Sequence, residues 1–276
     1  MKRSSPFGWL WFTVGALYFL LPLLGTVVFS LQKQRGTLSL SAYTSALADP
    51  KFGETFWFST QMAVITILAC LLLIVPTTYW VHLYMPSWRS VIEFITLLPF
   101  VIPAIVLVFG LIKLFSKPIT LFSIQLLPPL TNFTIGGQAI GSNILLIAGY
   151  VVLSMPYFYR SVDTGLRSMD VRTLTEAAQS LGANWVTILL RIILPNLRTA
   201  LLSGSLITFA TVIGELTLAD FLARPAFGPY LALLGAHKAY EPAALSIISF
   251  ILTWVAMGFI QLATRGTRQG TLVGAR

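Results

Sequence analysis

Charge is scarce: Asp, Glu, Lys and Arg make up only 10% of the 276 residues, against about 25% in an ordinary soluble domain. The soluble globular class is thereby excluded. Cysteine is rarer still. Cys70 stands alone, so no internal disulfide is possible, and its place inside an apolar run makes it a packing residue. Histidine occurs twice and no Cys/His cluster has metal-ligand spacing, so no metal site is expected. A phosphate-binding loop needs Gly-x-x-x-x-Gly-Lys followed by Ser or Thr. The nearest text, Gly136 to Ser142, has no lysine, so ATP hydrolysis by this chain is not expected. His-Glu-x-x-His and paired acids near the middle of an apolar run are also missing, which argues against an intramembrane enzyme.

What is present is hydrophobic sequence, 56% of the chain. About 20 helical residues at 1.5 Å each cross the ~30 Å hydrocarbon core of a bilayer. Six runs reach that length: about Gly8 to Ser30, Phe56 to His82, Val91 to Leu114, Ser142 to Val162, Leu197 to Leu222 and Ala243 to Ala263. They predict an all-α polytopic membrane protein in which residues 1–276 form one transmembrane domain. The first run follows Met1-Lys2-Arg3 and exceeds the apolar core of a secretion signal, so it is read as a retained helix.

The net charge of +9 does not signal nucleic acid, because the basic residues sit in loops between spans and form no aromatic-interleaved patch. With the N-terminus inside, Lys2, Arg3, Arg89, Arg160, Arg167, Arg172, Arg191, Arg198, Arg265, Arg268 and Arg276 are cytoplasmic. Lys33, Arg35, Lys51, Lys113, Lys117, Arg224 and Lys238 lie outside. This bias places both termini in the cytoplasm. Two outer segments, Ser41 to Glu54 and Ser116 to Gly141, are long enough to be either irregular loops or a docking rim. No internal repeat is evident.

The longest cytoplasmic loop, residues 170–195, is polar and helical. Asp170 is placed to cap a helix running through Val171, Leu174 and Ala177 or Ala178, and Gly182 to end it in a left-handed turn. A second helix is expected from about Asn184, stopping before Pro195. Its apolar residues Trp185, Ile188, Leu189 and Ile192 share one face. These features alone suit either an amphipathic helix resting on lipid headgroups or a piece that docks into a cleft.

The loop reads Glu176-Ala177-Ala178, three residues, Gly182, nine residues, Ile192, one residue, Leu194-Pro195. This resembles the cytoplasmic signature of permease subunits of binding-protein-dependent type I ABC importers, at every signature position. The resemblance implies a six-span importer-permease fold in a bacterial inner membrane. It also implies that the first signature helix is a coupling helix seated in a dimer of ATP-hydrolysing subunits, which would bind the ATP and Mg. Glu176, Ala177 and Ala178 would make that contact, Gly182 would permit the turn, and Leu194-Pro195 would set the approach to span five. A second permease and a solute-binding protein are the other implied partners.

For the pathway, an acid inside a span is a functional candidate. Glu215 ends a stripe of Ala200, Gly204, Thr208 and Thr211 whose spacings of four and three keep one helix face. The stripe suits either a channel lining or close helix packing. Asp220 lies nearer the outer surface. In span three, Glu93 lies near the cytoplasmic end, and Pro99 and Pro103 predict a kink, structural or gating. His82 and Tyr84 are expected as interfacial anchors. The text after Glu215 resembles the polyamine, ferric-ion, thiamine and phosphonate importer branch. That resemblance implies a polyamine-like cation as solute, or else ferric ion, thiamine or aminoethylphosphonate. An ion-coupled secondary transporter, the alternative of another class, would need coupling sites in both halves, and the halves do not match.

Overall fold

The computed structural model describes residues 6–34, 36–121 and 124–265. Lys2, Arg3, Arg35, Arg268 and Arg276, which carry part of the expected charge bias, lie outside the described residues. Backbone contacts divide the chain into two compact units, Met1–Glu54 with Tyr230–Val255, and Thr55–Pro229 with Ala256–Arg276.

In the first unit, α1 (Pro6–Ser30) is apolar around its whole circumference. Such a helix is stable only with lipid or protein on every side. A short antiparallel pair follows, β1 (Gln32–Gln34) and β2 (Thr37–Leu38). The segment from Ser41 to Glu54, open to an irregular reading, is helical: α2 (Ser41–Ala48) precedes the start of α3 (Pro50–Tyr84). Pro50 sits at the first helical position, where its missing N–H costs nothing. The Tyr230 hydroxyl donates to Asp49 Oδ2 at 2.8 Å and the Lys51 N–H to Oδ1 at 3.0 Å. These bonds hold the Asp49 carboxyl below the usual carboxylate range.

The second unit carries most of α3, then α4 (Arg89–Val101) and α5 (Ala104–Phe115). After them come the antiparallel hairpin of β3 (Ile119–Leu121) and β4 (Ile124–Leu127), and α6 (Ile140–Arg167). It continues with α7 (Val171–Ser180), α8 (Trp185–Ile188), a π-helical turn over Leu189–Ile193, α9 (Leu194–Asn196), α10 (Arg198–Ile213) and α11 (Thr217–Phe221). Helix α12 (Phe227–His237) starts in the second unit and continues in the first, which also holds the greater part of α13 (Glu241–Arg265), the last described element.

Two expected spans are not straight. The third bends by 100° between α4 and α5. Ile102 is extended, the conformation favoured before proline, and Pro103 caps the start of α5. Pro99 stays inside α4 and breaks nothing. The fifth is interrupted as well: α10 stops at Ile213 and helix resumes at Thr217. Sixteen residues of α10 reach about 24 Å, short of the ~30 Å core. Helices α1, α3 and α6 are long and apolar enough to cross alone, and the sixth expected run lies on α13.

Two apolar cores hold the second unit. One gathers Cys70, Tyr79, Phe158, Val162, Leu166, Ala178, Ile188 and Ile193; the other gathers Met62, Val108, Leu146, Tyr150, Leu218 and Ala226. The first is the one that positions the loop of residues 170–195.

Candidate functional site

The loop between α6 and α10 forms because each of its ends is capped locally. Asp170 accepts the Thr173 N–H at 3.1 Å and the Thr173 hydroxyl at 2.7 Å, starting α7 and holding its own carboxyl below the usual range. Gly182 closes α7 at φ +79°, donating to the Gln179 carbonyl at 2.8 Å. Asn184 then starts α8 by accepting the Thr187 N–H at 2.8 Å.

Beyond α8 the helix does not stop before Pro195; it widens into the π turn and runs on to Asn196. A wider turn relieves the clash between a proline ring and the carbonyl four residues earlier. It also adds one residue to the helical phase. The buried set is therefore Ile188, Leu189 and Ile193, with Ile192 half-buried and Trp185 exposed. Full burial of aliphatic side chains contributes on the order of 1.5–3 kcal/mol each. That burial, rather than the solvent-screened Arg172–Glu176 pair at 2.8 Å, fixes the loop to the spans. At Leu197 the chain bends by 78° into α10.

The predicted coupling residues divide between two faces. Glu176 and Ala177 are exposed, as is Gly182, while Ala178 is buried in the chain's own core. Ala178 thus packs α7 onto the spans, and Leu194 and Pro195 are half-buried at the turn into α10. Leu181, at the tip, is 89% exposed, and nothing in its spacing had marked it.

The predicted pathway residues are separate from this group and turn mostly inward. Gly204 is buried where an added Cβ would meet the Phe158 ring at 3.1 Å, and the buried Thr208 hydroxyl has no hydrogen-bond partner among the described residues. Thr211 is half-buried and donates to the Ile207 carbonyl at 2.8 Å. Glu215 is buried at the break in span five, where its carboxylate accepts the Leu218 N–H at 2.8 Å and the Ala219 N–H at 3.3 Å. The acid restarts the helix as α11. Gly228 is required beside it, because a Cβ there would strike the Glu215 carbonyl.

An adjacent face of α10 is open instead. Asn196, Thr199, Ser203 and Ile207, with Arg160, Thr164 and Ser168 of the α6 side, line a groove of about 580 Å³. On α10 the groove residues Thr199, Ser203 and Ile207 each lie one residue earlier than the predicted stripe, about 100° around the helix, and of the stripe itself Ala200 also lines the groove. Among the described residues no carboxylate lies within 4 Å of the Arg160 guanidinium.

Sequence reasoning also missed Asp163. Its side chain, 8% exposed, takes both oxygens to Arg89 Nη2 at 2.6 and 2.9 Å and one to Arg167 Nε at 2.9 Å. His82 Nδ1 is 3.9 Å from it, and Arg167 is 3.9 Å from Glu93. His82, read as an interfacial anchor, and Glu93, read as an acid near the cytoplasmic end of span three, thus border a charge cluster centred on buried Asp163.

Residues 74–269, which span this loop, the groove and the charge cluster, match the family model of the binding-protein-dependent transport system inner membrane component. The chain belongs to that family. This permease is 26% identical over 185 residues to the spermidine/putrescine transport system permease protein PotB of Haemophilus influenzae, covering 67% of this chain and 63% of that one. It is 24% identical over 237 residues to the PotB homolog of Mycoplasma genitalium, covering 84% and 80%. The alignment thus spans less than two thirds of the Haemophilus relative. A bacterial alginate ABC transporter, solved with a pentasaccharide-bound periplasmic protein, superposes with a TM-score of 0.66 at 16% identity over 94% of this chain and 96% of that one. At that identity the likeness concerns the fold. Family membership makes the chain an inner membrane component, and its several long apolar helices agree with a multi-pass protein.

Proposed function

We propose that this permease forms a solute pathway with a second permease and takes its motion from a separate ATP-binding subunit dimer through the loop of residues 170–195. One observation carries the reading. The family signature sits on a helix, turn and helix whose inner face is fixed to the spans, while Glu176, Ala177 and Gly182 are left exposed. Glu176 and Ala177 make the ATPase contact, Ala178 anchors α7 from behind, Gly182 sets the turn, and Leu194 and Pro195 set the approach to α10. ATP and Mg belong to the partner, and a periplasmic binding protein delivers the solute.

The hydroxyl-lined groove supports a route along α6 and α10, with Thr211 at its outer end and Glu215 holding the break beside it. Gly204 and Thr208 set the spacing of α10 on α6 behind that route, and Pro103 gives the bend of α4 on α5 its place at a gate. The relatives named for spermidine and putrescine support a polyamine-like cation as solute. One observation favours a second reading, an aminoethylphosphonate-type solute: Arg160 in the groove, with no carboxylate partner among the described residues, suits an oxyanion. ATP-driven uptake into proteoliposomes holding both permeases, the ATPase and the binding protein tests the assignment, with spermidine, putrescine and 2-aminoethylphosphonate compared. Uptake of none of these, or uptake without ATP, contradicts it.

A further inference from the structure

The inner face of α7 is joined to α3 by one polar contact inside an apolar core. Thr175 Oγ1 and the Tyr79 hydroxyl lie 3.0 Å apart, both buried. Three residues further along α3, on the same helix face, His82 Nδ1 lies 3.9 Å from the Asp163 carboxylate of α6, beside it but beyond hydrogen-bond distance. Asp163 in turn holds Arg89, the first residue of α4, and Arg167 of α6. Helix α3 therefore carries the bond to the signature helix and, on the same face, borders the charge cluster that ties α6 to α4, the helix whose Leu97 and Phe100 wall the groove.

Cohesion here does not need these bonds. The surrounding core supplies it, and a buried ion pair adds little net stability over well-packed apolar side chains. What directional bonds add is angle: apolar surfaces slide and rotate on one another, whereas a carboxylate holding one guanidinium by both oxygens fixes the helices that carry them. We propose that Thr175, Tyr79 and Asp163 are positioning residues. They make displacement of α7 turn α4, so that events at the ATPase open or close the cytoplasmic side of the groove. The proposal rests on the reading that α7 receives the ATPase.

The test needs no knowledge of the solute. In the complete complex, Cys70 is replaced by Ser and exposed Ser203 by Cys, and a charged thiol reagent reports access to the groove with and without ATP plus vanadate. The reference complex is expected to trap nucleotide and to change its labelling rate about tenfold on trapping. Asp163→Asn and Tyr79→Phe should still bind the ATPase and trap nucleotide to the same extent, yet lose that change to within twofold; Asp163→Glu should restore it. A nucleotide-driven change that survives in both variants overturns the proposal. So does its loss together with ATPase binding, which assigns the cluster to stability alone. A reference complex that binds no ATPase and traps no nucleotide refutes the prior reading of α7 instead.

Discussion

Gly182 offers the most quantitative handle on the coupling role proposed for residues 170–195. Its backbone sits at φ +79° and, among the described residues, an added Cβ would meet nothing within 4 Å. A substitution there carries a conformational penalty and no clash, so its size follows from backbone preference. An L residue in the left-handed region costs roughly 1–2 kcal/mol, with Asn the most tolerant and a β-branched residue the least. The loop is anchored elsewhere, by Ile188, Ile193 and Ala178 in the apolar core. The penalty therefore falls on the turn, and the spans keep their packing. One to two kcal/mol is a factor of about 5–30 in the population of the correct turn. Affinity for the ATPase subunit should fall in the order Gly, Asn, Ala, Val, with Val weaker than Gly by at least that factor. Detergent-solubilised permease variants titrated with purified ATPase subunit would measure it. Equal affinity for Gly182→Val and the parent chain would refute the turn's role in presenting α7.

Three further outcomes follow from individual side chains. Glu176→Lys should leave thermal unfolding of the permease nearly unchanged, since the Arg172 pair is exposed and screened. The same variant should lose copurification of the ATPase; intact copurification and uptake would remove Glu176 from the contact. Glu215→Gln presents an amide where two backbone N–H groups expect a carboxylate, and should cost about 1–3 kcal/mol, seen as a lower unfolding midpoint. Lost uptake at an unchanged midpoint would instead make Glu215 a pathway residue. Ser203→Trp should fill the groove between α6 and α10, abolishing uptake while the complex still assembles; normal uptake would place the route elsewhere.

The parts legible in the sequence are those set by neighbours along the chain. The Asp170 cap, the Gly182 turn and the bend at Pro103 depend on residues within four positions, and each lies where spacing and backbone chemistry put it. Less legible was anything fixed by distant partners. Asp163 meets Arg89 across 74 positions, so neither residue carries a local sign of the other. Both faces of α10 are lined by small and hydroxylated residues, and only the presence of Phe158 decides that Gly204 packs while Ser203 lines the groove. The π turn moved the apolar face of the second loop helix from Ile192 to Ile193, because one extra residue per turn breaks the 3.6 period on which the expectation was built. Glu215 looked like an isolated intramembrane acid because its partners are backbone N–H groups, which every sequence has.

The most direct measurement of the central claim is ATP hydrolysis by the reconstituted complex of this permease, its second permease and the ATPase subunit. It is followed as solute-loaded binding protein is added. Coupled import through residues 170–195 predicts stimulated hydrolysis that is lost in Glu176→Lys. Solute transport by this permease alone, driven by an ion gradient with no nucleotide, would contradict it.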